Sequence, residues 1–219
     1  YTLSQGIVAC LLPEHPKSRE WTDYSRRWMD KWLTDEVGAN GEWLSEGDSY
    51  GGFVSFPTLL AYTLAAKRAG HHDFSADPRF KKLALFFAKQ YMPPDSRRGG
   101  KRLSPPVGRA HGWQTSGYLG LAAKLLADSD PQASRVLQWL WAQGEYPMTM
   151  GESRLGPFIP QVLDKSFPAE APQWQSELFP ALGPVLRHGF GTPAEHYLNL
   201  LSHADSGRNL DIWTSCVGG

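Results

Sequence analysis

The sequence predicts a mainly α-helical protein that turns to β-structure near its end. Three observations carry this prediction. Apolar and aromatic residues recur at spacings of three and four through the first two thirds of the chain. Asp-Pro pairs at 77–78 and 130–131 each read as a helix cap followed by a first-turn proline. Beyond Gln143 this periodicity gives way first to scattered prolines and then to short alternating runs.

Taken in order, residues 18–37 place Trp21, Tyr24, Trp28 and Trp32 on one side, with Asp23, Arg26, Arg27, Asp30 and Lys31 elsewhere, which is an amphipathic helix. Gly38 and Asn40-Gly41 end it. A second helix is expected from about Pro57 to Arg68, with Gly70 as its stop, and a third from Asp77-Pro78 to the residues before Pro93-Pro94. Residues 92–112 form a Pro/Gly-rich loop, followed by a fourth helix over about 114–127 and a fifth from Asp130-Pro131. Helices of similar length with repeated Asp-Pro starts suggest stacked helical hairpins. Residues 183–188, 195–201 and 210–214 read as short strands between Gly and Pro turns.

Composition narrows the function. The 219 residues are 41% hydrophobic, enough for a substantial core, and Lys+Arg and Asp+Glu both number 22. A balanced charge gives no global field to draw the chain to nucleic acid or an anionic membrane, so anion binding must be local. No apolar run approaches the length of a membrane span. Two cysteines, Cys10 and Cys216, do not make a disulfide framework. Nine tryptophans offer flat faces suited to sugar rings wherever they are exposed.

Chemistry concentrates in residues 42–52, where Glu42, Trp43, Glu46, Asp48 and Tyr50 precede Gly51-Gly52. A loop tyrosine beside glycines, where a backbone can approach a ligand closely, is suited to general acid work or, with cations nearby, to base work. Glu46 would position it. The loop at 92–112 carries Arg97, Arg98, Lys101, Arg102 and Arg109, and guanidinium forks pair with carboxylate or sulfate. His111 and Trp113 close that loop and are expected to contact substrate. His203 and Asp205, at spacing two on a strand, would face the same side and could hold a metal. The other histidines, His71, His72, His188 and His196 among them, carry no functional reading from sequence. Glycine-rich nucleotide signatures, Gly-x-Ser-x-Gly, His-Glu-x-x-His and Cys-x-x-Cys are all absent, which removes support for those reaction classes.

Three stretches resemble one family. Residues 43–50 (Trp-Leu-Ser-Glu-Gly-Asp-Ser-Tyr) are similar to the Glu-Gly segment and functional tyrosine of the heparinase II/III-like polysaccharide lyases. Residues 176–187 resemble the family's entry into its β-sandwich, and His203-Ala204-Asp205-Ser206-Gly207 resembles its His-x-His-x-Asp-x-Gly stretch. The resemblance implies an incomplete α/α toroid of helical hairpins over 1–145, a Pro-rich linker over 146–180, and the first strands of an antiparallel β-sandwich over 181–219. It implies β-elimination on a uronate-containing, acidic polysaccharide by a secreted or periplasmic protein, with Tyr50 and His203 catalytic. Trp43, Glu46, Arg97, Arg98, Arg102, His111 and Trp113 would bind substrate. A divalent metal near the sandwich is implied for His203 and Asp205.

The chain also departs from the family pattern. Leu201 stands where the first histidine of the pair would be, and the family's carboxylate-neutralising segment would lie further upstream than this chain reaches. The resemblance is therefore to an internal fragment or a shortened relative. Two rival readings follow from the residues: a glycoside hydrolase using Glu42 or Glu46 with Asp48, and a non-catalytic glycan-binding fragment.

Overall fold

The computed structural model describes residues 2–45, 51–105, 117–148, 161–201 and 213–217. Its helices are α1 (Thr2–Leu11), α2 (Ser18–Glu36), α3 (Phe56–Arg68), α4 (Pro78–Lys89), α5 (Tyr118–Leu126) and α6 (Pro131–Gln143). Its strands are β1 (Glu177–Phe179), β2 (Gly183–His188), β3 (His196–Leu201) and β4 (Trp213–Val217), each antiparallel to the next in one sheet of order β1-β2-β3-β4. Mainly helical architecture followed by antiparallel strands thus agrees with the pattern read from sequence. Two elements were not foreseen there, α1 and β1, and the last strand lies later than expected.

Local chemistry accounts for the starts of α4 and α6. Asp77 accepts a hydrogen bond from the Arg79 N–H at 2.8 Å, and Asp130 accepts from the Ala133 N–H at 2.8 Å. Each satisfies a donor that the first helical turn would leave unpaired. Proline follows at the first helical position in both, where its missing N–H costs nothing.

Packing sets the rest. The buried line of α2 is Ser25, Met29 and Leu33, and the tryptophans sit beside it, with Trp28 and Trp32 only partly buried. The most deeply buried positions of α2 are therefore not its aromatic ones. At Ser25 the reason is size. A Cβ at Gly6 of α1 would stand 2.7 Å from Ser25 Cβ and 2.4 Å from the Tyr62 ring, so α1 crosses α2 and α3 too closely for larger groups. Ser25 Oγ donates to Thr2 O at 2.8 Å and Ser18 Oγ to Ala9 O at 3.1 Å, tying the two helices together.

The sheet presents one face to the helices. Gly183, Val185 and Arg187 of β2 are buried while Leu186 and His188 are exposed, the period-two pattern of a strand with one covered face. Phe179, Val185 and Tyr197 belong to the same buried cluster as Phe86, Phe87 and Trp141. Phe179 meets Phe86 edge to face at 5.0 Å. Polar ties reinforce the contact: Tyr197 Oη donates to Gln90 O at 2.7 Å, Arg187 Nη2 to Lys89 O at 2.6 Å, and Lys89 pairs with Glu177 at 2.6 Å. Helices and sheet share one core.

Candidate functional site

The segment after α2 turns back on itself before the proposed catalytic loop. Val37 bridges Trp43, Gly38 N donates to Glu42 O at 2.8 Å, and Leu44 N donates to Glu36 O at 2.8 Å. Gly41 has φ of 90°, and a Cβ there would lie 2.3 Å from Lys82 O, so only glycine fits against α4. The Glu42 carboxylate is buried and accepts the Asn40 N–H at 2.9 Å. That position suits a turn-former and withdraws Glu42 from the carboxylate pair a hydrolase would use.

Trp43 is also interior. It is 5% exposed, stands edge-on to Trp32 at 4.6 Å and to Phe87 at 6.2 Å, and donates through Nε1 to Ser45 Oγ at 3.2 Å. An indole enclosed on these sides has no open face for a sugar ring, so the expectation of substrate stacking at Trp43 is corrected: it is a core residue.

The basic loop divides in two. Asp95 N donates to Lys101 O at 3.2 Å, and Gly99 and Gly100, both with φ of 72°, turn the chain after the 3₁₀ turn Ser96–Arg98. Arg97 is 71% exposed and grips Asp95 at 2.9 Å. This hydrogen bond, with the further positive charge of Arg98, holds the Asp95 carboxyl below its ordinary range. Arg98 is exposed. Arg102 is not: its side chain is 3% exposed, and its guanidinium forks onto Glu195 at 3.1 and 2.6 Å and onto Met92 O at 3.2 Å. It lies over the rings of Trp139 at 5.4 Å and Phe190 at 4.7 Å. Buried and committed to Glu195, the Arg102 guanidinium offers no surface to a substrate, which corrects its expected role as a substrate contact.

Glu195 and Arg187 complete this cluster, and neither stood out in the sequence. Arg187 Nη1 reaches Glu195 Oε1 at 3.2 Å, and Gly191 N donates to Glu195 Oε2 at 2.9 Å. Burial alone would raise the Glu195 carboxyl, but Arg102, the Gly191 N–H and Arg187 outweigh it and hold it below the usual carboxylate range. The missing signal is long-range, because the partners are 93 residues apart.

Tyr50, Glu46, His111, Trp113, His203 and Asp205 lie outside the described residues, as do Asp48 and Arg109. Their described flanks meet around one stretch of α4 and its exit. A Cβ at Gly52 would stand 3.1 Å from the Phe87 ring, and Phe87 packs on Phe56 at 5.0 Å and on Tyr118, which opens α5, at 6.5 Å. Burial pushes the Tyr91 phenol well above its ordinary value, and Tyr118 beside it acts in the same direction. Tyr197, which precedes the His203 segment on β3, is tied to Gln90. Among the described residues no three histidine, cysteine or carboxylate side chains gather into one group, and no helix is long and apolar enough to cross a membrane.

No family model matches the chain, and no curated protein matches it significantly. Among solved structures it is similar to the crystal structure of heparinase III, with a TM-score of 0.62 and 14% identity. The likeness covers 92% of this chain and 28% of that one, and at this identity it establishes shared fold.

Proposed function

We propose that this chain is a polysaccharide lyase-like protein that acts on an acidic, uronate-containing glycan by β-elimination. The observation that carries the proposal is the likeness of fold to heparinase III across 92% of the chain, which coincides with three sequence stretches resembling one lyase family in the same order. In this reading the helices form part of an α/α toroid and the sheet opens a β-sandwich. The protein works outside the cytoplasm, in the periplasm or beyond the cell.

Elimination needs three things: neutralisation of the uronate carboxylate, removal of the proton beside it, and protonation of the departing glycosidic oxygen. Tyr50 supplies the acid and is the main catalytic residue, with Glu46 positioning it. His203 is the second catalytic group, and with Asp205 it is also the pair that would hold a divalent metal. His111 and Trp113 contact the sugar. Arg97 and Arg98 lie on solvent, where they can meet substrate carboxylates or sulfates, and so take the role that Arg102 cannot.

The test is the chemistry of the product. Incubated with alginate, hyaluronan or heparan-type glycans, the purified protein is expected to release an unsaturated uronate that absorbs near the ultraviolet edge. Saturated products would point to hydrolysis instead. Binding without any turnover would favour a glycan-binding protein, the reading that Leu201 in place of a histidine supports.

A further inference from the structure

The solvent face of the sheet carries two histidines side by side. His188 ends β2, His196 begins β3, and the two are directly opposite in the antiparallel register. Both are exposed. Their ring centroids are 6.5 Å apart with the planes 22° from parallel. Leu186 and Leu198, the next pair along this face, are apolar, so neither offers a competing charge.

The hairpin that presents them is firmly held. Thr192 donates to Gly189 O through N at 3.0 Å and through Oγ1 at 2.7 Å, and Glu195 N donates to Thr192 O at 3.1 Å. Gly189 and Gly191 take φ of 65° and 76°, which the turn requires. Glu195, the residue before His196, is clamped by Arg102, Arg187 and the Gly191 N–H. The two histidines are therefore brought together by a backbone already ordered on folding, so binding an ion between them would lose little further freedom.

We propose that His188 and His196 form a two-imidazole site for a transition-metal dication of the zinc, nickel or copper(II) class. Neutral imidazole is a preferred ligand for these ions, whereas calcium and magnesium seek oxygen. With metal–nitrogen bonds of about 2.0 Å, one ion between the rings requires a nitrogen of each to turn toward the other, which exposed side chains do by rotation about χ1 and χ2. The remaining coordination positions stay open to water or to an anionic donor. The site does not involve His203 or Asp205 and stands whether or not the chain is a lyase.

Titration of the protein with zinc near neutral pH, followed through the imidazole C–H signals, tests this. The signals of His188 and His196 are expected to shift together, and calcium to leave both unchanged. Replacing both residues, His188→Gln with His196→Gln, is expected to weaken zinc binding at least about tenfold. Both side chains are exposed, so the fold is preserved, which circular dichroism checks. Equal affinity in the double variant, or shifts confined to His71, His72 or His203, would overturn the proposal.

Discussion

Arg97 and Arg102 belong to one run of cations, yet the first is 71% exposed and the second 3%. Arg97 finds its acid two residues away in its own turn, at Asp95, whereas Arg102 reaches across the molecule to Glu195 on the β2–β3 hairpin. The difference teaches what a charge run conceals. Residue type gives the guanidinium, but the position of a remote carboxylate decides whether it is a ligand for solvent-borne anions or a tie between helices and sheet. Arg102 is buried with Glu195 and a second arginine, Arg187, so a glutamate shared between two cations anchors the sheet.

Breaking that anchor is expected to have the largest effect. Glu195→Ala leaves two buried guanidinium groups without their carboxylate and should cost about 3–5 kcal/mol in chemical denaturation. Trp43→Ala, which empties a well-packed position in the core, should cost a similar 3–5 kcal/mol. A Trp43 variant of unchanged stability would restore that side chain as a substrate platform. Asp130→Ala removes a helix cap and should cost about 1 kcal/mol. Arg97→Ala should fall within about 0.5 kcal/mol of the parent, because an exposed pair contributes little to stability. On the proposed function the same substitution weakens binding of an acidic oligosaccharide, so stability and binding separate at Arg97.

Acid sharpens the comparison further. The folded-state value of the Glu195 carboxyl lies below its unfolded value, so its stabilisation is complete above the unfolded value of about 4.3 and is lost as pH falls through the folded one. Stability is expected to decline on acidification below about pH 4.3, with a shallower decline in Glu195→Gln. An identical acid profile in both proteins would remove Glu195 from the account.

Much of the fold was legible because its signals are local. Asp77-Pro78 and Asp130-Pro131 specify their helix starts through contacts within three residues. In β2 burial alternates but polarity does not follow it, because Leu186 faces solvent and Arg187 the core. Helix α1 was not legible: its sequence carries no charged cap, and Gly6 makes sense only against Ser25 and Tyr62. Strand β1 is three residues long, too short to show a period, and exists through its pairing with β2. The site was less legible than the fold. Sequence reasoning weighed Trp43 and Arg102 by type, but exposure decides their use, and exposure is a property of packing. It also passed over His188 and His196, eight positions apart in the chain and adjacent only across a hairpin.

The proposed chemistry rests most directly on Tyr50. The decisive measurement is the rate of unsaturated-uronate release by the protein and by Tyr50→Phe, alongside the affinity of each for the same glycan. Loss of a general acid at the leaving oxygen should lower the rate by about 10²–10⁴-fold with affinity retained. An unchanged rate in Tyr50→Phe would contradict the account.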